Sequence, residues 1–343
     1  MKKKSIGFIV LMFSLFGLVA CNNDSNNEAE ENAASKLEDS ADSDDYSIGS
    51  SAEGGLYHTN ASTLAQTITE NSEDFDAVAE PTGGSVENVR LLSSGETELG
   101  IVSADTMYDA VNGEGEFEDD KYEDFSIIAS GHTSYAQISV PEDSDIESVS
   151  DLEGKTVAWR LQGSSTVENM GKAIFNEYGL DPDEDFDSEI ASPYEDAAQR
   201  MKDGRTDAVI TFPGVPTPWV VEYLTADPMD LISVDEDKID NILEEYPFYE
   251  KGVIEDDTYE EIDYEVPTVA FKAMLVVNDD VSEEDVYELT KTLLENEDYA
   301  TSISKEVKPY VDEDNVTSVD EEVGDYHPGA VKYYEEIGIW DED

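Results

Sequence analysis

Cysteine is almost absent from this chain of 343 residues, in which Cys21 is the only one. A single cysteine excludes an intramolecular disulfide, so no disulfide framework indicates the compartment of the protein. At this length the chain is too long for one small core, and it is expected to fold as two lobes.

Basic residues are also scarce, with 19 lysines and arginines against 84 aspartates and glutamates. This balance disfavours a phosphate-binding surface, so nucleic acid is not expected as a partner. The acids fall mostly in loops such as 114–120 and 234–240, which lack the glycine and glutamate spacing of a calcium loop. They predict a solvated surface typical of a halophilic protein. Calcium binding stays open as an alternative, and no metal site is assigned.

Histidine is nearly as rare, since the chain holds only His58, His132 and His327. The nucleophile elbow, the P-loop and the zinc-protease helix motif are all missing from the sequence. Ser164 with His132 as its base stays open as a nucleophilic pair, but no third partner is positioned by the sequence. The chain is therefore expected not to be an enzyme and to need no cofactor.

Only one long apolar run is present, and it lies at the N-terminus. Lys2–Lys4 form a positive region, and the 15 residues Ile6–Ala20 are apolar or small. The run is short for a bilayer span and fits a signal peptide over residues 1–20, with an uncleaved signal anchor as the alternative. It ends at Leu18–Cys21, a pattern that resembles a bacterial lipobox, in which the cysteine is diacylated and becomes the mature N-terminus.

Residues 21–45 follow this run and contain almost nothing to bury. They are mostly asparagine, serine, alanine and acidic residues, which predicts a disordered acidic tether between a lipid anchor and the folded part. The expected location is the extracytoplasmic face of the cell membrane, reached through the lipid on Cys21.

Strands, tight turns and helices alternate after the tether, which indicates parallel α/β sheets. Three of the turns contain glycine or small residues and open a helix, at Gly54–Tyr57, Gly83–Ser85 and Gly163–Thr166. Ser85 is expected to cap its helix. The first turn of a helix carries free N–H groups and the positive end of the dipole, so three such turns converging would hold a small acidic ligand. Ordinary strand-to-helix turns are the alternative.

Two long apolar segments are expected to cross between two α/β units. They lie within Phe125–Val140 and at Thr268–Val277. The predicted division is residues 46–134 plus 268–343 for lobe I and residues 135–267 for lobe II. Strand ends of the two lobes would then face each other across a cleft, where open α/β sheets bind ligands.

Nine short motifs occur in one order along residues 46–340 and carry a family resemblance. They are Gly54–Tyr57, Thr82–Asn88, Leu99–Val102, Asp151–Lys155, Gly163–Thr166, Gly214–Pro216, Tyr246–Tyr249, Val266–Ala270 and His327–Ala330. With them the chain resembles the TAXI family of solute receptors, which serve tripartite ATP-independent periplasmic (TRAP) transporters. The resemblance implies an α/β, two-lobe periplasmic-binding-protein-like fold of type II, hinged by two crossover strands. It also implies a glutamate-like or other small carboxylate ligand and a TRAP membrane subunit as partner.

This sequence departs from the family pattern near the expected cleft. Trp159-Arg160 replaces small residues, Ser51–Glu53 replaces a stretch rich in glycine and threonine, and His58 stands where tyrosine is usual. The resemblance therefore implies the class of ligand and does not identify the compound.

The candidate ligand-binding residues are the turn residues and the polar or aromatic groups expected at the strand ends. They are Ser51, Tyr57, Thr82, Gly84, Ser85, Asn88, Ser103, Gln137, Arg160, Ser164, Ser165, Thr166, Phe212 and Pro213. Turn N–H groups and hydroxyls would hold one carboxylate, and Arg160 would take a second one bidentately. Tyr57 and Phe212 would wall the apolar part of the ligand. Helix capping, core packing and a surface salt bridge of Arg160 are the structural alternatives.

The function that these residues favour is an extracytoplasmic solute receptor that closes its lobes on a small carboxylate. It is expected to act as a monomer and to deliver the solute to a TRAP membrane component. A ligand-sensing lipoprotein of the same fold, which feeds a signalling partner, is the alternative.

The acidic surface predicts a dependence of stability on salt. Without Lys2–Lys4 the chain has 16 basic residues and a net charge near −68. Because salt screens the repulsion between exposed acids, the melting temperature is expected to rise from millimolar to molar NaCl. Calorimetric melting across this range measures the effect, and a flat or falling curve would show that the charges are compensated locally.

Overall fold

The computed structural model describes residues 44–118, 120–161 and 165–340. The predicted signal peptide, the lipobox with Cys21, nearly all of the tether and Ser164 lie outside the described residues, as does the side chain of Ser165. No helix among the described residues is long and apolar enough to cross a membrane.

The strands and helices alternate along most of the chain. The strands are β1 Asp44–Gly49, β2 Phe75–Glu80, β3 Leu99–Ser103, β4 Phe125–Tyr135, β5 Gln137–Pro141, β6 Thr156–Arg160, β7 Asp187–Ile190, β8 Ala208–Thr211, β9 Met229–Ile232, β10 Glu250–Ile254 and β11 Val266–Asn278. The α-helices are α1 Leu56–Asn71, α2 Ser85–Ser94, α3 Ala104–Asn112, α4 Ser165–Glu177, α5 Tyr194–Lys202, α6 Pro218–Ala226, α7 Glu236–Glu245, α8 Glu283–Glu295, α9 Glu297–Ile303 and α10 Pro328–Ile337.

The strands form two mixed sheets. The first has the order β10-β11-β3-β1-β2, with β4 paired to β11, and the second has the order β7-β6-β8-β5-β9. In the first sheet β1 runs parallel to β2 and β3, while β11 runs antiparallel to β3, β4 and β10. The strand-turn-helix alternation in the sequence therefore corresponds to the parallel pairs on one side of each sheet, among β3, β1 and β2 in the first and β7, β6 and β8 in the second.

Each sheet is covered on both faces by apolar side chains. Leu64 and Ile68 of α1 are fully buried against one face of the first sheet, together with residues of α8 and α10. Met107 of α3 packs on the opposite face. Burial of one such side chain stabilises the fold by about 1.5–3 kcal/mol. β3 is buried along all five residues, as a central strand covered on both faces requires.

The chain passes between the sheets where β4 meets β5. Ala136 separates these strands, and its N–H donates to the Val269 carbonyl of β11 at 3.0 Å. Thr268 Oγ1 donates to the Ala136 carbonyl at 2.7 Å. The two crossover strands are thus tied to each other at the boundary between the sheets.

β11 belongs to the cores of both units. Val269 and Phe271 pack in the core of the second unit, whereas Ala273, Leu275 and Val277 pack in the core of the first. β10 lies within the range predicted for lobe II, but it pairs with β11 in the first sheet. The predicted lobe limits stay a prediction, and below the first and second units are named by their sheets.

Candidate functional site

Three helices begin close to one buried hydroxyl, that of Ser103. Ser103 is the last residue of β3 and precedes the first residue of α3. Its Oγ lies 3.2 Å from Ser85 Oγ at the start of α2 and 3.2 Å from Thr166 Oγ1 at the start of α4. Thr106 Oγ1, in the first turn of α3, is 3.0 Å away. Since Thr166 belongs to the second unit, this group of hydroxyls joins the two units.

Ser85 does not cap α2, contrary to the sequence prediction. The residue before the helix is Gly84, whose φ of 105° lies in the region that glycine adopts without strain. Ser85 Oγ instead accepts a hydrogen bond from the Ser103 N–H at 3.1 Å. The glycine thus lets the turn present Ser85 toward the end of β3.

Asp105 is an acidic residue that lies beside these hydroxyls and was not among the candidates from the sequence. It lies in the first turn of α3, is 2% exposed, and accepts a hydrogen bond from Thr166 Oγ1 at 3.2 Å. Burial raises the pKa of its carboxyl above the ordinary value, although Ser103 and Thr166 hydrogen-bond it. The available signal was its position directly after a buried strand, where strand ends open toward ligands.

Tyr57 completes this group from the first turn of α1. Its hydroxyl is hydrogen-bonded by Ser85 and Ser103, and its pKa is raised above the usual range, chiefly by burial and then by the charge of Asp105. We call Tyr57, Ser85, Ser103, Asp105, Thr106 and Thr166 the inter-unit cluster. The cluster therefore presents hydroxyl groups and one carboxyl at the starts of four helices.

A layer of neutral groups supports Tyr57 from behind. The His132 ring meets the Tyr57 ring edge-on, with 5.4 Å between the centroids. His132 Nδ1 is 3.0 Å from the Tyr310 hydroxyl and 3.3 Å from Asn60 Nδ2. Burial lowers the pKa of His132 to about 4, so its ring is neutral at pH 7. Its contacts are those of a packing residue, and Ser164, its hypothesised partner, lies outside the described residues.

Two further candidates, Thr82 and Asn88, hydrogen-bond each other and the backbone of the first sheet. Asn88 is fully buried, and its Nδ2 donates to the carbonyls of Ser50 and Ile101, each at 2.8 Å. Its Oδ1 accepts from Thr82 Oγ1 at 2.7 Å. The side-chain oxygen and nitrogen of Asn88 thus both bond to the protein itself.

Four other candidates, Gln137, Phe212, Pro213 and Ser51, lie outside the cluster. Gln137 Nε2 donates to Thr217 Oγ1 at 2.8 Å and its Oε1 accepts from the Tyr259 hydroxyl at 2.6 Å. Phe212 is 5% exposed in the core of the second unit, and the Pro213 carbonyl accepts from a backbone N–H at 3.0 Å. Ser51 is half-buried, with its hydroxyl 3.5 Å from the next carbonyl.

Arg160 forms a surface salt bridge, which was the alternative to a role in binding a carboxylate. Its guanidinium is paired with the exposed carboxylate of Asp183 and lies 5.2 Å from the centre of the Trp159 ring. Among the described residues, these contacts connect Arg160 with the loop after α4 and with its own strand, and none connects it with the inter-unit cluster.

The comparisons with known proteins agree with this architecture. Residues 48–338 match the NMT1-like family. PhnD1 from Prochlorococcus marinus (MIT 9301), in complex with methylphosphonate, is similar over 86% of this chain and 96% of its own, with a TM-score of 0.50 and 11% identity. The two-lobe α/β fold predicted from the sequence is thereby confirmed.

Two other solved structures have lower TM-scores. A TctC solute binding protein from Polaromonas, without ligand, is 15% identical over 88% of this chain and 99% of its own, with a TM-score of 0.48. The periplasmic aliphatic sulphonate binding protein SsuA from Escherichia coli is 16% identical over 85% of this chain and 87% of its own, with a TM-score of 0.46.

Asp109, one helical turn after Asp105, predicts a dependence of stability on pH. Its pKa is raised to about 6 by partial burial and by the charges of Asp105, Glu114 and Glu116. Because the folded-state pKa lies above the ordinary value of 3.8, the free energy of unfolding falls as the pH rises from 3.8 to about 6, and the loss is complete above that pH. Asp109→Asn is therefore expected to raise the melting temperature more at pH 8 than at pH 4.

The control for this experiment is Asp74→Asn, which removes an equal charge from an exposed position. The difference between the two variants at each pH, measured by calorimetry, isolates the local effect. An equal gain for Asp109→Asn at pH 4 and pH 8, or an equal gain for both variants, contradicts the prediction.

Proposed function

Because the chain belongs to the NMT1-like family, we propose that it is an extracytoplasmic solute receptor that captures a small carboxylate between its two units. The motif resemblance to TAXI receptors supports a TRAP membrane component as the partner that receives the solute. The similarity in fold to PhnD1 with bound methylphosphonate supports a role in ligand binding.

The observation that carries this proposal is the contact of Thr166 with Ser103 and Asp105. Thr166 stands at the start of α4 in the second unit, while the other two residues stand at the end of β3 and the start of α3 in the first. A solute bound among these side chains contacts both units at once. Its binding energy then favours the closed arrangement over an open one.

The groups that surround this contact favour a solute with a carboxylate. The first turns of α2, α3 and α4 meet there, and helix N-termini favour negatively charged groups. Hydroxyls of Ser85, Ser103 and Thr166 supply further donors. Four of the residues predicted from the sequence, Tyr57, Ser85, Ser103 and Thr166, therefore lie together.

The proposed location rests on the N-terminal sequence. Lys2–Lys4, the apolar run and the lipobox ending in Cys21 support export and lipid anchoring on the outer face of the membrane. Cys21→Ala is expected to release the protein into the medium or leave it unprocessed, because no acyl chain is attached. Mass spectrometry of the mature N-terminus checks this, and an N-terminus without acyl mass rejects the anchor.

Lobe closure predicts a change in shape when a solute binds. Small-angle scattering of the protein with L-glutamate or another small carboxylate is expected to give a smaller radius of gyration than the free protein. Thr166→Val removes the hydroxyl that joins the units and is expected to weaken binding about tenfold, the scale of one hydrogen bond. An unchanged radius with a tightly bound solute rejects the hinged mechanism.

Thr206→Val is the matched control for Thr166→Val. Thr206 is similarly buried and also donates to a carboxylate, that of Glu189 at 2.8 Å, but both residues lie within the second unit. Equal losses of solute affinity in the two variants would show that the Thr166 effect arises from general destabilisation.

A further inference from the structure

The carboxyl of Asp105 is buried without a positively charged partner. Among the described residues, no lysine, arginine or histidine forms an ion pair with it. The side chains that hydrogen-bond it are hydroxyls, with Thr166 Oγ1 at 3.2 Å and Thr106 Oγ1 at 3.5 Å from Oδ1. Buried carboxylates in proteins are ordinarily paired with a cation or a metal, so this one stands apart.

The groups around Asp105 do not compensate its charge. Asp109 on the next turn of α3 carries the same sign, and Glu114 and Glu116 lie near Asp109. Tyr57 from α1 and Tyr249 before β10 are neutral, because burial and the charge of Asp105 raise the pKa of both above the usual range. His132, behind Tyr57, is neutral as well. This side of the cluster attracts a cation and repels a second carboxylate.

Another part of the same cluster favours an anion instead of a cation. Ser85 and Ser103 stand at the starts of α2 and α3, where N–H groups and hydroxyls favour an anionic group. A ligand that fits both features carries a carboxylate and a cationic nitrogen attached to the same carbon atom.

We propose that Asp105 is a specificity-determining residue that binds the ammonium group of a zwitterionic amino-acid solute, and that it selects such solutes over plain mono- and dicarboxylates. This inference rests on the proposed function as a receptor for small carboxylates. In the bound state, the ammonium group donates to the Asp105 carboxylate while the solute carboxylate accepts from the helix starts.

The test compares matched solutes on the wild-type protein by titration calorimetry. The pairs are L-glutamate with glutarate and L-leucine with 4-methylpentanoate, which differ only in the amino group. The amino acid of a binding pair is expected to bind at least about 30-fold more tightly, the scale of a lost hydrogen bond to a charged group. A des-amino partner that binds within about threefold overturns the inference and leaves the receptor function intact. Binding of no member of either pair overturns both the inference and the carboxylate receptor.

Variants separate a role in recognition from a role in stability. Asp105→Asn is expected to bring the affinity ratio of the binding pair to within about threefold. Asp74→Asn, which removes an equal charge from an exposed position outside the cluster, is expected to keep the wild-type ratio. If Asp105 only stabilises the start of α3, its replacement lowers the melting temperature and leaves the ratio unchanged, which overturns the inference. If Asp105→Asn does not fold, the ratio measured on the wild-type protein decides.

Discussion

The hydrogen bond from Thr166 to Asp105 is the contact on which the arrangement of the site depends. It connects the start of α4 in one unit with the start of α3 in the other, and Ser103 lies within hydrogen-bond distance of Thr166 as well. Where the chain crosses between the sheets, the bonds between Ala136 and the β11 residues Thr268 and Val269 tie the two crossover strands. The units are thus linked at the crossover strands and at a cluster of side chains, and the lobe closure proposed above acts on the contacts within this cluster.

Most of the fold was predictable because it follows from local chemistry. Alternation of apolar strands with glycine turns and amphipathic helices indicates a parallel α/β sheet, and a strand that ends in a turn places its last residues at the sheet edge. Tyr57, Ser85, Ser103 and Thr166 were identified for that reason. The pairing of β10 with β11 was not predicted, because antiparallel neighbours over a long connection leave no local signal.

The rest of the site depends on tertiary burial, which the sequence pattern does not encode. Asp105 is one of 84 acidic residues, and its position just after a buried strand did not reveal that it is only 2% exposed. Arg160 attracted interest because arginine is scarce, but scarcity does not determine the direction of a side chain, and the residue pairs with Asp183. Asn88 matched a helix-start motif, yet its amide binds the backbone just after β1, at Ser50, and in the middle of β3, at Ile101.

The chemistry of the cluster bears on selectivity more than on affinity. A solute that enters must replace the hydroxyl contacts among Ser103, Asp105 and Thr166, and an exchange of one neutral hydrogen bond for another gains little free energy. A cationic group that meets the Asp105 carboxylate instead replaces a hydroxyl donor with a charged one, which strengthens the bond in a buried site. A second carboxylate at the same place adds repulsion to the cost of desolvation. In the proposed receptor, discrimination between solutes therefore arises from the buried carboxyl of Asp105, while closure arises from the contacts that both units share.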